Sequence, residues 1–287
     1  MTASGRLGII GGSGLYRMPG LADAAWRTVE TAWGHPSDQL LFGTLAGREI
    51  VFLPRHGRGH RIAPDEINAR ANIAALKAAG CTELLAVSAV GSFREDLAPG
   101  SFVVVDQMVD RTVRQPRSFF GDGIVGHVSF ARPTCARLGA LATAALIQLG
   151  VPHATSGTML VIEGPQFSTA AESRLHRAWG MDVVGMTGLP EARLAREAEL
   201  CYASVAMVTD YDAWSDASVS TDDIVRVLAA NAGTAQALVA AVVATPSGAT
   251  CGEGCRHALT DAVITARDAW PDASRARLAL LNQERFG

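Results

Sequence analysis

Short apolar runs alternate with longer amphipathic segments of helical period along most of the chain. The apolar runs typical of buried strands are Arg6–Ile10, Glu83–Ser88, Phe102–Asp106, Thr158–Ile162 and Asp182–Val184. The segments of helical period are Pro64–Ala79, Pro133–Leu149, Thr169–Trp179, Pro190–Glu199 and residues 220–243. Because strands and helices take turns, the pattern predicts a single α/β domain over residues 1–287. We expect a central mixed β-sheet flanked by helices, with a C-terminal helical segment from about residue 245.

Turn residues refine this assignment. A tight Ala-Gly pair separates the strand-like Gln39–Leu45 from Arg48–Leu53, so a β-hairpin is expected there. Pro64 is typical of the first turn of a helix, and Gly80 of the position just after one. Residues 114–131 lack periodicity, which predicts a long functional loop.

The composition excludes several kinds of partner. The chain has 287 residues, of which 48% are hydrophobic and 18% charged, and its formal net charge is −3. This charge gives no electrostatic reason to bind nucleic acid or an anionic membrane. The sequence shows no run of about 18 apolar residues, and no charged N-terminal segment precedes an apolar one. A cytoplasmic protein without a membrane partner is therefore expected.

The basic side chains narrow the chemistry. Lys77 is the only lysine among 25 basic residues, and it lies in an alanine-rich helical segment where a solvated position is expected. Schiff-base catalysis and a phosphate-binding lysine are therefore excluded. Any anion must be held by arginine, histidine, hydroxyls or backbone amides.

The five cysteines are an odd number, and free thiols are expected. Cys251-Gly-Glu-Gly-Cys255 leaves two alternatives open, a local disulfide or half of a metal site. No second Cys or His pair with zinc-ligand spacing follows it, so we expect no metal.

Two carboxylates follow the apolar run Cys201–Thr209. Asp210 and Asp212 stand two positions apart at its end. In open α/β sheets, ligands bind outside the carboxyl ends of the strands. An acid pair there suits a ligand that offers N–H donors and needs a proton, such as a 6-aminopurine. The alternative is a helix cap and a loop acid.

Two glycine-rich loops could hold an anion. Gly11–Gly14 follows the first strand and is either a structural turn or a phosphate-binding loop. A nicotinamide site is the third alternative, but the last glycine of the dinucleotide-binding fingerprint is replaced. Arg55–Arg61 follows the hairpin and is either a bidentate anion site or a solvated basic loop.

Three other strand ends carry small or aromatic side chains. Ser88–Ser92 and Met186–Gly188 present hydroxyls and backbone amides to the same edge, although small residues there also serve packing alone. In Glu163–Ser168, Phe167 could stack on a flat ligand or belong to the core. Ser168 is expected to cap the next helix, with Glu172 close to the capping-box spacing.

These motifs, in this order, resemble the trimeric purine nucleoside phosphorylases, most closely the 5′-methylthioadenosine phosphorylase branch. The resemblance runs from Gly8 to about Leu228. The segments that carry it are Gly8–Gly14, Pro54–Gly57, Ile67–Asn72, Gly91–Glu95, Asp106-Gln107, Asp110–Thr112, Ile162–Phe167, Met186-Thr187 and Thr209–Asp212.

The resemblance implies reversible phosphorolysis of 5′-methylthioadenosine, with phosphate as co-substrate and no metal or organic cofactor. It further implies a role in purine and methionine salvage. The implied phosphate-binding residues are Ser13, Arg55, His56, Ser88, Ala89 through its backbone, and Thr187. The implied nucleoside-binding residues are Phe167, Ser168, Val184, Met186, Asp210, Asp212, Thr221 and Ile224. The implied catalytic residues are Asp210, Asp212 and His56.

The resemblance also implies a homotrimer, or a dimer of trimers. His127 of one subunit would reach the 5′-substituent of the nucleoside bound by its neighbour. The 6-oxopurine relatives carry an asparagine where this chain has an aspartate, so Asp210 and Asp212 favour adenine. Thr221 replaces a valine common in the 5′ pocket of that branch. The more polar pocket leaves adenosine or another 5′-deoxyadenosine open as a substrate.

Three alternatives remain at this stage. A broader purine nucleoside phosphorylase would use the same residues. A nucleosidase would cleave the same bond with water and would need no phosphate site. A non-catalytic nucleoside-binding module would keep Phe167 and the carboxylates alone.

Overall fold

In the computed structural model, eleven strands form one mixed sheet. The structure describes residues 5–12, 15, 18–215, 221–245 and 251–287. Within these, the strands are β1 (Arg6–Gly11), β2 (Ala22–Arg27), β3 (Leu40–Leu45), β4 (Arg48–Pro54), β5 (Cys81–Ser92), β6 (Phe102–Val105), β7 (Gln107–Asp110), β8 (His153–Ala154), β9 (Thr158–Val161), β10 (Val183–Gly185) and β11 (Cys201–Tyr211). The α-helices are α1 (Ala69–Ala78), α2 (Ala136–Leu149), α3 (Ala170–Ala178), α4 (Gly188–Glu197), α5 (Thr221–Ala244), α6 (Asp272–Ala279) and α7 (Gln283–Phe286).

The sheet is built around β5, its longest strand. β5 pairs in parallel with β1 on one side and with β11 on the other. Near its carboxyl end the sheet branches, because β10 adds antiparallel pairs to Gly91 and Ser92. β9 and β7 continue that branch in parallel, while β6 pairs antiparallel with β11. The predicted α/β fold with a mixed sheet is confirmed.

Helices cover both faces of the sheet. On one face, α2 and α5 pack through side chains such as Leu138 and Leu238 against Val205 of β11. On the other face, α1 and α4 pack through Ile73 and Leu194. All five of these side chains are fully buried. The apolar surface that they remove from water is the main stabilising contribution to the fold.

Helix α5 is unusually apolar. Residues Asp222–Ala244 are long and apolar enough to cross a membrane by length and composition, with a mean hydropathy of 1.7. However, Leu238, Val239 and Val242 in its second half are fully buried in the core. A buried core helix passes the same test of length and composition, so the feature carries no membrane assignment.

The structure also corrects the sequence analysis in detail. The hairpin is confirmed, and Ala46 and Gly47 turn it with φ of 48° and 78°. The first helix begins at Ala69 rather than Pro64, because Asn68 caps it and Pro64–Glu66 forms a separate 3-10 turn. Lys77 is half-buried rather than solvated, and its Nζ donates to the carbonyl of Ala198, 2.7 Å away, at the end of α4.

Candidate active site

A glycine in β5 brings the predicted purine-binding residues together. Gly91 pairs with Asp210 of β11 on one side and with Val184 of β10 on the other. A Cβ added to Gly91 would lie 3.1 Å from Val184 Cγ1, 3.2 Å from Asp210 Oδ2 and 3.4 Å from Asp212 Cβ. These three side chains therefore converge at the branch of the sheet, where any larger residue would have to push its neighbours aside by a few tenths of an ångström.

A bulge in β11 presents the acid pair. The pairing register between β11 and β5 shifts between Val208 and Asp210, which leaves Thr209 as the extra residue. The Thr209 hydroxyl donates to Val90 O at 3.2 Å and to Asp210 Oδ1 at 2.7 Å. A β-bulge redirects the side chains that follow it, and here it fixes Asp210 at the crevice.

Both carboxyls hold protons more tightly than usual. Burial raises the pKa of Asp210 to about 6, and Asp212 adds to the rise while the Thr209 hydroxyl opposes it. Burial also raises the pKa of Asp212, against the hydroxyls of Ser173 and Ser168. Asp212 is 5% exposed, and its Oδ2 makes no hydrogen bond of normal geometry within the described residues. The pair can therefore hold and deliver a proton near neutral pH.

Arg55 lies between the first glycine loop and the end of β5. Its backbone N–H donates to Gly11 O at 3.0 Å, and its Nη1 donates to Val87 O at 3.0 Å. Arg55 is only 2% exposed. Ser13, the other residue predicted on this side, lies outside the described residues.

A buried carboxylate, which the sequence analysis missed, holds Arg55 in place. Glu191 of α4 accepts from Arg55 Nε at 2.5 Å and from Nη2 at 3.1 Å. The Tyr202 hydroxyl donates to Glu191 Oε2 at 3.0 Å. Because a bidentate pair uses only part of the guanidinium, one N–H on each terminal nitrogen of Arg55 stays available for an anion.

His56 lies next to Arg55 as a neutral ring. Burial lowers its pKa to about 4, and the charge of Arg55 adds to the fall, while the contact with the Ile62 carbonyl opposes it. His56 Nδ1 is 2.9 Å from Ile62 O. A neutral ring that donates from Nδ1 has an unprotonated Nε2, which can accept a hydrogen from hydrogenphosphate. This tautomer is inferred from the contact.

The rest of the basic loop turns away from the site. Arg58 pairs with Asp38 at 2.8 Å and stacks on Trp26, with its guanidinium carbon 4.2 Å from the ring centre. Arg61 also pairs with Asp38, at 3.7 Å. The loop therefore has two parts: Arg55 and His56 face the interior, whereas Arg58 and Arg61 form an exposed basic edge. The anion site remains a prediction.

The small residues at the strand ends are at least partly exposed to solvent. Ser88 and Ala89 pair with Ala206 and Met207 of β11. Ala89 is exposed although it lies within the central strand. Thr187 precedes α4, but its hydroxyl does not cap that helix and is free for another acceptor.

The remaining nucleoside-binding candidates lie on the β10 side. Val184 is 7% exposed and Met186 is half-buried. A Cβ added to Gly164 would lie 2.5 Å from Met186 Sδ, so the Glu163–Ser168 turn lies directly against Met186. Phe167 in this turn is 59% exposed. An exposed ring beside a crevice is available to stack on a ligand.

Ser168 does not cap α3 as predicted. Thr169 is the N-cap, because its Oγ1 accepts from Glu172 N at 3.2 Å and the Glu172 carboxylate accepts from Thr169 N at 2.8 Å. The capping box needs this three-residue spacing. Ser168 is therefore left to lie against Asp212.

Three predicted residues lie away from the acid pair in sequence and on other elements. His127 is exposed, and its backbone N–H donates to Ala262 O at 2.8 Å in the C-terminal segment. Ile224 is half-buried in the first turn of α5. Thr221 opens that helix, and its side chain is outside the described part of the chain.

The chain is similar to known proteins over most of its length. The model of the phosphorylase superfamily matches residues 6–244. An S-methyl-5′-thioadenosine phosphorylase from Cereibacter sphaeroides is 54% identical over 264 residues, which cover 91% of each chain.

Solved structures of related proteins are also similar to this chain. The crystal structure of a methylthioadenosine phosphorylase from an antarctic soil metagenomic library superposes with a TM-score of 0.91 at 42% identity, over 97% of this chain and 99% of that one. A mutant adenosine/methylthioadenosine phosphorylase from Schistosoma mansoni, in complex with methylthioadenosine, has a TM-score of 0.83 at 34% identity, over 93% and 100% of the two chains.

Proposed function

The chain belongs to the phosphorylase superfamily, and on that premise we propose that it catalyses the reversible phosphorolysis of 5′-methylthioadenosine. The products are adenine and 5-methylthioribose 1-phosphate, so the enzyme is a pentosyltransferase. One observation carries the proposal. Half-buried Asp210 and buried Asp212, both of raised pKa, lie beside Gly91 of β5. Four residues earlier on that strand, the Val87 carbonyl accepts from buried Arg55, which is followed by the neutral His56.

The reaction separates charge across that crevice. Breaking the N-glycosidic bond builds positive charge on the ribose and negative charge on the purine. Phosphate bound beneath the sugar stabilises the cation and then attacks C1′. Asp210 donates a proton to N7 of the departing adenine, and Asp212 accepts a hydrogen bond from the 6-amino group.

Each side of the crevice has a defined set of residues in this proposal. Phosphate is held by Ser13, Arg55, His56, Ser88, the Ala89 backbone and Thr187. His56 accepts the phosphate hydrogen at Nε2. Val184 and Phe167 flank the purine, and Met186 packs against the ribose. No metal or organic cofactor takes part in the chemistry.

The acid pair explains the preference for adenine. An ionised carboxylate accepts a hydrogen bond from an amino group but repels the O6 atom of a 6-oxopurine. A polar group left unpaired in a buried site costs about 1–3 kcal/mol, which corresponds to roughly 5-fold to 150-fold in specificity. Inosine should therefore be a poor substrate.

We further propose a cytoplasmic homotrimer, or dimer of trimers, that serves purine and methionine salvage. His127 is exposed, and so are the neighbouring apolar side chains Val125 and Ile264, at 45% and 65%. Exposed apolar side chains around a polar one are typical of an interface between subunits. His127 would then contact the 5′-substituent in the neighbouring site.

The test is a phosphate-dependence assay with four nucleosides, namely 5′-methylthioadenosine, adenosine, 5′-deoxyadenosine and inosine. We expect release of adenine from the first three only when phosphate is present, fastest from 5′-methylthioadenosine. Release at the same rate without phosphate would identify a nucleosidase. Binding without release would identify a non-catalytic module. Faster turnover of adenosine would support the broader specificity that Thr221 suggests.

A further inference from the structure

Four of the five cysteines meet at one point although they come from three distant parts of the chain. Cys135 precedes α2, Cys201 opens β11, and Cys251 and Cys255 follow α5. Their four sulfur atoms all lie within 4.8 Å of one another. Cys135, Cys201 and Cys255 are each 1% exposed, and Cys251 is half-buried.

The spacing of the sulfurs fits four ligands around one metal ion. A tetrahedral zinc ion with Zn–S bonds of about 2.3 Å separates its sulfurs by roughly 3.8 Å. Cys135 Sγ and Cys251 Sγ are 3.7 Å apart. A disulfide would bring two sulfurs to about 2.05 Å, and all five cysteines are free thiols here.

We propose that Cys135, Cys201, Cys251 and Cys255 bind one Zn²⁺ ion as a closed structural site. Soft thiolate sulfurs in a tetrahedral set of four favour zinc over hard divalent cations such as Mg²⁺. With all four positions filled by protein, the ion has no place for water or substrate.

The surroundings suit the charge of such a site. Four thiolates and one Zn²⁺ carry a net charge of −2, which is costly to bury without nearby cations. Arg196 Nη1 lies 3.6 Å from Cys255 Sγ, and the Arg137 guanidinium lies against Cys201. These two arginines offset the charge, and their N–H groups can donate to the sulfurs. Arg137 also pairs with Glu83, but Arg48 pairs with the same carboxylate, so these three side chains together keep one positive charge.

The position in the fold indicates a structural role. Cys201 and Asp210 lie on the same strand, nine residues apart, which is roughly 30 Å along extended backbone. The ion would instead join β11 and α2 to the segment that begins at Cys251. That segment is further held by Leu259 N, which donates to Glu199 Oε1 at 2.9 Å.

The same segment supports the loop that carries His127. Besides the bond from His127 to Ala262, Val125 N donates to Thr265 Oγ1 at 2.8 Å, and Gly126 bridges to Val263. Loss of the ion should therefore loosen the loop at residues 125–127. Because His127 is proposed to contact the substrate, a looser loop should also weaken substrate binding. Only this effect on substrate binding rests on the proposed function.

Spacing alone predicted free thiols and no metal, because Cys251 and Cys255 offered only half of a site. The other two ligands precede Cys251 by 116 and 50 residues, and no local pattern joins them. Folding brings them together since β11 begins beside the residue before α2, where Cys135 N donates to Tyr202 O at 2.7 Å.

The test measures metal content in the full chain produced in zinc-supplemented medium. We expect one zinc per chain by elemental analysis in the wild type and in Cys81→Ala, a buried cysteine outside the cluster. Cys251→Ala should lose at least 90% of the metal, and Cys251→His, which restores a ligand, should keep it. The half-exposed Cys251 makes these variants less disruptive than changes at the three buried positions.

A second measurement replaces zinc with Co²⁺, whose absorption reports tetrahedral thiolate ligation. The wild type should show thiolate-to-cobalt charge transfer that is absent in Cys251→Ala. Three results would each overturn the proposal: a wild type that takes up neither ion, a Cys251→Ala variant with full zinc content, or a disulfide within the cluster found by mass spectrometry. None of these readouts depends on catalysis, so a zinc-loaded protein without phosphorolysis would refute the proposed function alone.

Discussion

Replacing Asp210 with asparagine tests two separate properties of this carboxyl: its role as an acid in the reaction and its effect on the free energy of unfolding. The two side chains have the same shape, and the Thr209 hydroxyl can still donate to the remaining carbonyl oxygen. Asparagine cannot deliver a proton to N7. Loss of a general acid lowers turnover by about 10²–10⁴, so we expect Asp210→Asn to lower kcat for 5′-methylthioadenosine by that factor.

The same substitution should stabilise the protein, and the sign follows from the pKa. Burial raises the pKa of Asp210 from 3.8 to about 6. A carboxyl whose folded pKa lies above its unfolded value contributes stability below pH 4, and the contribution is lost as pH rises through about 6. The loss reaches at most about 3 kcal/mol at pH 8, and about half of that at pH 5.

An amide does not ionise, so Asp210→Asn escapes this loss. We expect the variant to exceed the wild type in free energy of unfolding by up to about 3 kcal/mol at pH 8, with a smaller difference at pH 5. Urea unfolding at the two pH values measures this. Asp268→Asn, at an exposed carboxylate, is the matched control and should change neither stability nor turnover.

An N7-methylated nucleoside makes the catalytic test specific. Its purine is already cationic and needs no proton to leave. Asp210→Asn should therefore cleave it within about tenfold of the wild-type rate, in contrast to the loss with the unmethylated substrate. An equal loss on both substrates would refute the role of Asp210 as the acid.

Three other predictions concern the residues around phosphate and the 5′-group. In steady-state assays, Glu191→Gln should lower kcat about tenfold or more without raising the KM for phosphate. A raised KM for phosphate at unchanged kcat would contradict this prediction. His56 should stay neutral from pH 5 to 8 because its pKa is about 4, so its NMR signals, assigned with His56→Gln, should not titrate in that range. His127→Ala should raise the KM for 5′-methylthioadenosine. When the His127→Ala and Asp210→Asn chains are co-expressed, the mixed trimers should be more active than the two separate variants added together. Some of their sites then combine an intact Asp210 from one subunit with an intact His127 from its neighbour.

Periodicity predicted the buried part of the fold and missed its edges. β1, β9 and β11 are apolar runs in which almost every residue is buried, so their pattern is strong. β2 is mostly exposed and carries no apolar run. The sequence predicted that the strand ends at Ser88, because mostly small residues follow it. In the structure β5 continues through Ala89–Ser92, because β10 and β11 both pair with this segment.

The residues of the candidate site also differ in how far the sequence predicts them. Side chains that stand directly at a strand end, such as Asp210 and Arg55, could be found from local sequence. Glu191 could not, because an acid in the first turn of a helix is usually an exposed partner of the helix dipole. Only folding shows that this acid faces inward and meets Arg55, which lies 136 residues away.

In the proposed site, the Arg55–Glu191 pair would allow a cation to develop beside an arginine. A lone guanidinium would repel the positive charge that develops on the ribose by roughly 4 kcal/mol at 4 Å and an effective dielectric constant of 20. Glu191 neutralises that charge while leaving N–H groups for phosphate. His56 is neutral at pH 7, so in the proposed site a bound phosphate dianion would be the dominant uncompensated charge near C1′. Glu191→Gln restores the repulsion without removing a donor from Arg55. This is why we expect its effect on kcat rather than on phosphate binding.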